Sequence, residues 1–204
     1  MEAVTKRRMT AQEYVALERH ALTKSEFLSG EVFAMAGGTR EHSIIATNIA
    51  AEIHARVKAK PCTVYNSDMR LKVQATEYYA YPDVQVACGE IQMEDSEQDT
   101  LLNPRIIVEV LSESTGAWDR GGKFWHYRHI ETFTDYVLIS QETWLVEHYT
   151  RQPNGSWLLQ VAQGSGGLLT LDSIGCSVAL ADIYAKTNVD PTNKPLSPKP
   201  EARL

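Results

Sequence analysis

The stretch Arg105-Ile-Ile-Val-Glu-Val-Leu-Ser112 decides the fold prediction. It is apolar on both faces, which is typical of a central β-strand that is covered on both sides. In period-two alternation Ile107, Glu109 and Leu111 share one face, and the other face is apolar as well. Because both faces are apolar, no shift of register takes the acid out of the interior. We therefore predict a carboxylate inside a covered sheet.

The predicted burial of Glu109 requires a partner for its charge. An unpaired buried charge costs several kcal/mol or more, so the group must be neutralised, ion-paired or bound to a metal. A structural ion pair with an arginine such as Arg70 or Arg120 is one interpretation, because such networks also place acids in protein interiors. A metal site is the other. The strand taken alone leaves both interpretations open.

Asp83 favours the metal interpretation. It follows Pro82 at the start of a predicted strand over residues 83–88, although a Pro-Asp pair is also common in turns. If the strands of Asp83 and Glu109 are neighbours, both carboxylates can lie on one face, and like charges that close need a cation between them. Two hard oxygen ligands with room for water suit Mg²⁺.

The segment after the Glu109 strand, residues 114–127, offers a candidate lysine. Lys123 and Tyr127 are four residues apart and would share one face of a helix. Gly121 and Gly122 would each weaken a helix interior by about 1 kcal/mol, so they indicate a helix start or a close backbone approach. A segment of this length can place Lys123 over the sheet end that carries Glu109.

The remaining pattern predicts an α/β (α+β) fold, in which a mixed β-sheet is packed by a long helix and followed by a C-terminal β-hairpin. Apolar residues at every fourth position predict the long helix over 41–58. Thr10 and Glu13 have the spacing of a capping box at the start of a short helix over 10–22. Strands at 62–65, 69–73, 83–88 and 105–111 are expected in one sheet. The other predicted elements are a hairpin at 27–35, strands at 135–140, 144–151 and 156–163, a helix at 123–130 and a helical turn at 180–185.

Length and composition limit the function classes. The chain has 204 residues with 20 basic and 26 acidic side chains, a formal charge of −6 that argues against a general polyanion binder. One domain over 1–186 is expected, with an acidic solvated loop at 89–103 and a disordered tail at 187–204. No apolar run approaches the roughly 20 residues of a membrane span, so no membrane partner is expected.

The three cysteines, Cys62, Cys88 and Cys176, are widely spaced and odd in number. This spacing predicts neither a disulfide framework nor a zinc site, and it favours a reducing, cytoplasmic location.

Three segments together resemble the Uma family of restriction endonuclease-like proteins, which is placed in the PD-(D/E)XK nuclease superfamily. They are Tyr81-Pro-Asp-Val-Gln-Val86, Ile107-Val-Glu-Val-Leu-Ser-Glu-Ser-Thr115 and Asp119-Arg-Gly-Gly-Lys-Phe-Trp-His-Tyr127. The resemblance runs from about residue 9 to residue 187. It implies a restriction-endonuclease-like fold.

The resemblance also implies site residues. Asp83 matches the first metal-binding aspartate of the superfamily and Glu109 its second acid, so that both would be metal ligands. The superfamily lysine stands two residues after the acid, where this chain has Leu111. In the family that lysine has moved to the following helix, which implies Lys123. His42, Asp68 and Tyr127 are candidates for accessory roles.

The function implied by the resemblance is metal-dependent hydrolysis of DNA by an endonuclease that uses Mg²⁺, or Mn²⁺ in its place. Arg70, Lys72 and Arg120 are candidates for a local basic rim that contacts the nucleic acid. One alternative is a non-catalytic DNA-binding or assembly module with the same fold, and another is a hydrolase of small phosphoesters. DNA is the implied partner, and a homodimer is compatible with a sequence that sets no oligomeric state.

Overall fold

The structure is a computed structural model that describes residues 8–35 and 37–192. Most of the tail predicted at 187–204, from residue 193 onward, lies outside the described residues. The helices are α1 (Ala11–Glu18), α2 (Arg40–Val57), α3 (Gly116–Trp118), α4 (Phe124–Tyr127) and α5 (Leu180–Ile183), with a π-helical turn at Asp119–Lys123 between α3 and α4. The strands are β1 (Ser25–Leu28), β2 (Glu31–Ala34), β3 (Cys62–Asn66), β4 (Arg70–Val73), β5 (Tyr78–Ala80), β6 (Val84–Cys88), β7 (Thr100–Leu101), β8 (Ile106–Leu111), β9 (Asp135–Ser140), β10 (Leu145–Arg151), β11 (Trp157–Gln163), β12 (Leu168–Leu171) and β13 (Cys176–Ala179).

The central sheet has six strands in the order β11-β10-β9-β8-β6-β3. Strand β8 lies inside it, antiparallel to β6 and parallel to β9, and all six of its residues are buried. Helix α2 covers one face through Ile45, Ile49, Ile53 and Val57, which are fully buried against the sheet. The prediction of a covered central strand and of a mixed sheet packed by a long helix is thus confirmed.

A second sheet, in the order β2-β1-β5-β4-β7, packs on the opposite face of the central sheet. The prediction that residues 69–73 join the same sheet as residues 62–65 was therefore wrong. Strand β3 pairs along its length with β6, whereas β4 pairs with β5 and β7. Alternation identifies a strand but not its partner, and β5 and β7 are only three and two residues long.

The acidic segment at 89–103 is not a free loop as predicted. It contributes β7, and its carboxylates bind cations of the second sheet and of the segment after α1. Asp99 accepts from Arg19 and from the buried Arg70, and Glu94 pairs with Lys72 at 2.6 Å. These ion pairs hold the segment against the second sheet and the end of α1.

The C-terminal hairpin prediction is confirmed by β10 and β11, which pair from Leu145↔Gln163 to Arg151↔Trp157. Gly155 in the connecting turn has φ +82°, a conformation that favours glycine. A second hairpin of β12 and β13 was not predicted, and it packs with α5 against the α2 core. No helix in the described part of the chain is long and apolar enough to cross a membrane.

The cysteine prediction was wrong for two residues. Cys62 and Cys88 form a disulfide, and Cys176 is a buried free thiol. Cys62 and Cys88 are 26 residues apart, but they face each other across β3 and β6, with Cα atoms 4.0 Å apart. Strand pairing creates this proximity, and the spacing of cysteines along the chain carries no sign of it.

Candidate active site

Asp83 and Glu109 face each other across neighbouring strands. Val84 pairs with Val108 in the β6–β8 ladder, so the residue before β6 stands opposite Glu109. Oδ2 of Asp83 accepts a hydrogen bond of 2.7 Å from the backbone N–H of Val110. This bond fixes the carboxylate at the end of β8, beside the acid on the next strand.

Glu109 is 4% exposed, and its hydrogen bonds with the described residues all reach one oxygen. Oε1 accepts from Nζ of Lys123 at 3.2 Å and from the hydroxyl of Tyr127 at 2.9 Å. Burial raises the pKa of Glu109 to about 8, Lys123 opposes the rise, and Asp119 and Asp83 add to it. The protonation of this carboxyl group therefore depends on the charges that lie next to it.

The arginine interpretation of Glu109 is not what the structure shows. Arg70 is 2% exposed and binds Asp99, Thr100 and Tyr81, and Arg120 binds Glu147 at 2.7 Å. The cation beside Glu109 is Lys123, so the lysine expected from the family resemblance lies at the acid.

Three carboxylates surround Lys123. Its Nζ lies 3.1 Å from Oδ1 of Asp119, 3.2 Å from Oε1 of Glu109 and 3.3 Å from Oε1 of Glu26. Burial disfavours the ammonium and lowers the pKa of Lys123. The nearby carboxylates, of which Glu109 has the largest effect, outweigh burial and hold that pKa well above its usual range. The lysine is charged, and the cluster as a whole carries an excess of acid.

Sequence reasoning missed two members of this cluster, Glu26 and Asp119. Asp119 carried a usable signal, since it precedes Lys123 by four residues within the helical segment. Glu26 carried no such signal in the sequence, because it lies on β1 of the second sheet. There the hydroxyl of Tyr78 donates a hydrogen bond of 2.7 Å to Oε2 of Glu26. Only the packing of the two sheets brings Glu26 to the lysine.

His42 is at the start of α2 and contacts the first acid. Its Nε2 lies 3.3 Å from Oδ2 of Asp83. The hydrogen bond to Asp83 raises the pKa of His42 against the opposing effect of burial. Thr39 caps the helix by accepting from the backbone N–H of His42, which sets the position of the ring. His42 thus lies beside Asp83, and its accessory role stays a prediction.

The other residues predicted for the site lie at different distances from it. Tyr127 is fully buried and donates to Glu109. Asp68 is exposed and pairs with Lys24. Lys72 and Arg120 pair with acids away from Glu109, and the burial of Arg70 leaves its guanidinium no surface for a phosphate, which corrects its prediction as a nucleic-acid contact.

Asp83 and Glu109 line a cleft with a volume of about 1910 Å³. Its described lining contains two lysines, Lys24 and Lys123, and no arginine. Six carboxylates line it: Glu26, Asp83, Glu109, Glu113, Asp119 and Glu142. The cleft is therefore acidic, with the Lys123 cluster in its wall.

The donor set fits a loosely held magnesium ion. Among the described residues, no donor reaches Oδ1 of Asp83 or Oε2 of Glu109, and both side chains line the cleft. No group of three or more His, Cys, Asp or Glu side chains in the described ranges forms a metal cage. Mg²⁺ needs no such cage, because it keeps several waters and is commonly bound through one or two carboxylates.

Comparison with known proteins places the chain in a family. Residues 11–181 match the model of the Uma2 family, which is described as "putative restriction endonuclease". The chain belongs to the Uma2 family. Two relatives from Synechocystis, the uncharacterized proteins slr1290 and sll1609, are 34% and 36% identical and align with 87% and 80% of this chain and 92% and 93% of their own lengths.

A solved structure shows the same fold. It is the crystal structure of a protein from Anabaena variabilis named as a putative nuclease belonging to DUF820, and it matches with a TM-score of 0.70. The match covers 86% of this chain and 97% of that one at 18% identity. The restriction-endonuclease-like fold predicted for this Uma2 chain is confirmed.

Proposed function

We propose that this Uma2 protein is a metal-dependent endonuclease that hydrolyses phosphodiester bonds in DNA. One observation carries the proposal: Asp83 and Glu109 stand opposite each other at a cleft, with Lys123 at 3.2 Å from Glu109. Two acids on neighbouring strands and a lysine beside them are the groups that such a hydrolysis uses. The family description and the name of the Anabaena neighbour support the same reaction class.

Asp83 and Glu109 would hold Mg²⁺, or Mn²⁺ in its place, through Oδ1 of Asp83 and Oε2 of Glu109, which accept no hydrogen bond from the described residues. A divalent ion there supplies a polarised phosphoryl oxygen and a bound water of lowered pKa. The bonds from Val110 to Asp83 and from Tyr127 to Glu109 orient the two carboxylates before any ion arrives. Nε2 of His42, which lies 3.3 Å from Oδ2 of Asp83, would help to orient that carboxylate.

Lys123 would stabilise the negative charge that develops on the phosphoryl group. Leu111, at the position where the superfamily has its lysine, is buried in the core, so it offers no charge to the cleft. Lys123 instead reaches Glu109 from the π-helical turn. Short π-helical segments are frequent at functional sites. In this chain the π-helical turn lies between β8, which carries Glu109, and α4.

We propose that Lys72 and Arg120, which lie outside the cleft lining, contact the DNA. Arg120 is the better candidate, because its side chain is 42% exposed, against 20% for Lys72.

Incubation of the purified full-length protein with supercoiled plasmid tests the proposal. We expect nicking with Mg²⁺ or Mn²⁺, none in EDTA, and none with Asp83→Asn. Persistent nicking in EDTA would contradict the metal site. Uncut plasmid that is nevertheless retarded on a gel would favour the non-catalytic module, and cleavage of a chromogenic diester that DNA does not compete away would favour a small-phosphoester hydrolase.

A further inference from the structure

Two aromatic side chains in the described lining of the cleft are exposed. Trp118 is 40% exposed and Phe33 is 49% exposed, and both belong to the lining. Trp118 precedes Lys123 by five residues across the π-helical turn. Hydrogen bonds of the i→i+5 type bring residues five apart onto nearly the same side of a helix. In agreement with this, Trp118 and Lys123 line the same cleft.

The indole of Trp118 is held in place by its own helix. A Cβ at Gly122 would overlap the six-membered ring of the indole, so that only glycine leaves it room. Tyr78 meets the ring edge-on, with centroids 6.5 Å apart at 89°, and His126 lies at 6.1 Å. These contacts fix the orientation of the indole while Trp118 remains 40% exposed. The ring is therefore pre-organised to stack with a planar group.

The charges of the cleft favour one class of nucleic acid. Proteins bind duplex DNA largely through Lys and Arg, which neutralise phosphates on both strands and release counterions. Here six carboxylates face two lysines, and Lys24 and Lys123 are paired to Asp68 and to the Glu109 cluster. An unpaired base can stack on an exposed aromatic ring, which contributes about 1–3 kcal/mol per base, whereas the bases of a duplex already stack on one another. The lining thus suits a single strand better than a duplex.

We infer that the cleft takes single-stranded DNA, with an unpaired base stacked on Trp118 and the neighbouring phosphate directed to Lys123, Asp83 and Glu109. The role of that phosphate depends on the proposed nuclease function. The stacking does not, because binding can be measured without cleavage.

The test measures binding of the full chain to three fluorescein-labelled probes by anisotropy, with Ca²⁺ in place of Mg²⁺ and intact probes verified on a gel. The probes are a short single-stranded oligonucleotide, the duplex of the same sequence, and a strand of abasic residues. The variants are Trp118→Ala, Trp118→Phe and, as the matched control, Trp125→Ala. Trp125 is 47% exposed in the adjacent α4 but is not part of the cleft lining.

We expect the single strand to bind more tightly than the duplex or the abasic strand. Trp118→Ala should weaken single-strand binding about 5- to 150-fold, the range for loss of one stacked base. Trp118→Phe should retain most of the affinity and Trp125→Ala all of it. The slope of log affinity against log salt should be no steeper than about −1.4, the value for two phosphate contacts on a single strand.

Equal or tighter binding of the duplex would overturn the inference, as would equal losses in Trp118→Ala and Trp125→Ala. A change of oligomeric state in Trp118→Ala with unchanged single-strand affinity would also overturn it, because Trp118 would then be a contact between copies. Cleavage of duplex alone would refute the single-strand assignment but not the nuclease. Binding that depends on Trp118 without any cleavage in Mg²⁺ would refute the nuclease but not the single-strand site.

Discussion

The ammonium of Lys123 lies 3.2 Å from Oε1 of Glu109, although the two residues come from a π-helical turn and from the middle of a buried strand. Glu26 and Asp119 share the same ammonium. One lysine therefore neutralises part of a larger negative charge. The stability of the cluster and the chemistry proposed for it therefore depend on the same few side chains.

Glu109→Gln should leave the metal-free protein as stable as wild type or more stable. Glutamine keeps the shape and can still accept from Tyr127, while Lys123 keeps Asp119 and Glu26. The variant removes a carboxylate whose burial opposes ionisation. With saturating Mg²⁺ the order should reverse, because only wild type gains binding energy, about 2.7 kcal/mol at 100 times Kd. Thermal melts in EDTA and in Mg²⁺ measure both effects, and a large loss in EDTA would contradict this view of Glu109.

The same variant should change the pH dependence of stability. The pKa of Glu109 is raised from its ordinary 4.5 to about 8 by burial, so the folded protein binds this proton more tightly than the unfolded chain. The contribution is full below pH 4.5 and is lost as the pH rises through 8. Urea unfolding in EDTA should show wild type losing stability over this window relative to Glu109→Gln. A constant difference between the two proteins would refute the shift.

Lys123→Met should abolish cleavage and also destabilise the metal-free protein by roughly 3–5 kcal/mol, because it leaves buried carboxylates without their cation. Mg²⁺ binding should be as tight as in wild type or tighter, since the lost charge repels the ion. Calorimetric titration checks this point.

A double variant separates stability from catalysis at Lys123. Adding Glu26→Gln to Lys123→Met removes one stranded charge and should recover at least about 1 kcal/mol of stability. Cleavage should stay absent. Restored cleavage in the double variant would show that Lys123 acts only as a structural counter-ion.

Asp83→Asn should abolish the stabilisation by divalent ions. The amide can still contact Val110 and His42 but is a weaker ligand for a hard cation. We expect the melting temperature of wild type, but not of the variant, to rise with Mg²⁺ and Mn²⁺. Glu113→Gln is a matched control, since Glu113 lines the same cleft at its exposed side. An equal rise in Asp83→Asn would move the ion away from Asp83.

Asp99→Asn should destabilise the protein by roughly 1–3 kcal/mol, because it removes the carboxylate partner of the buried Arg70. Bonds to Arg19 lower the pKa of Asp99 to about 2, against burial and with help from Arg70. The stabilisation is therefore full above pH 3.8 and is lost as the pH falls through 2. Glu97→Gln in the same segment, whose carboxylate makes no ion pair with the described residues, should be neutral. Equal unfolding midpoints for the two variants would show that the segment is not fastened by Asp99.

The sequence by itself determined the central strand, the long helix and the burial of Glu109. Residues 105–112 were predicted to form a strand covered on both sides, because both of its alternating faces are apolar. A charge in such a strand must have a function or a partner, so Glu109 was identifiable from alternation alone. Asp83 and Lys123 were candidates from their places before a strand and after the Glu109 strand, and the family resemblance implied their roles.

Tertiary structure alone decided which groups share the lysine, which strands share a sheet and which cysteines meet. Glu26, the β4–β7 pairing and the Cys62–Cys88 disulfide all join segments far apart in the chain. Local periodicity reports which face of an element is buried, but not what it is buried against. Partners across a sheet or between sheets are set by the packing of the whole chain, and the electrostatics of the cleft follow from those partners.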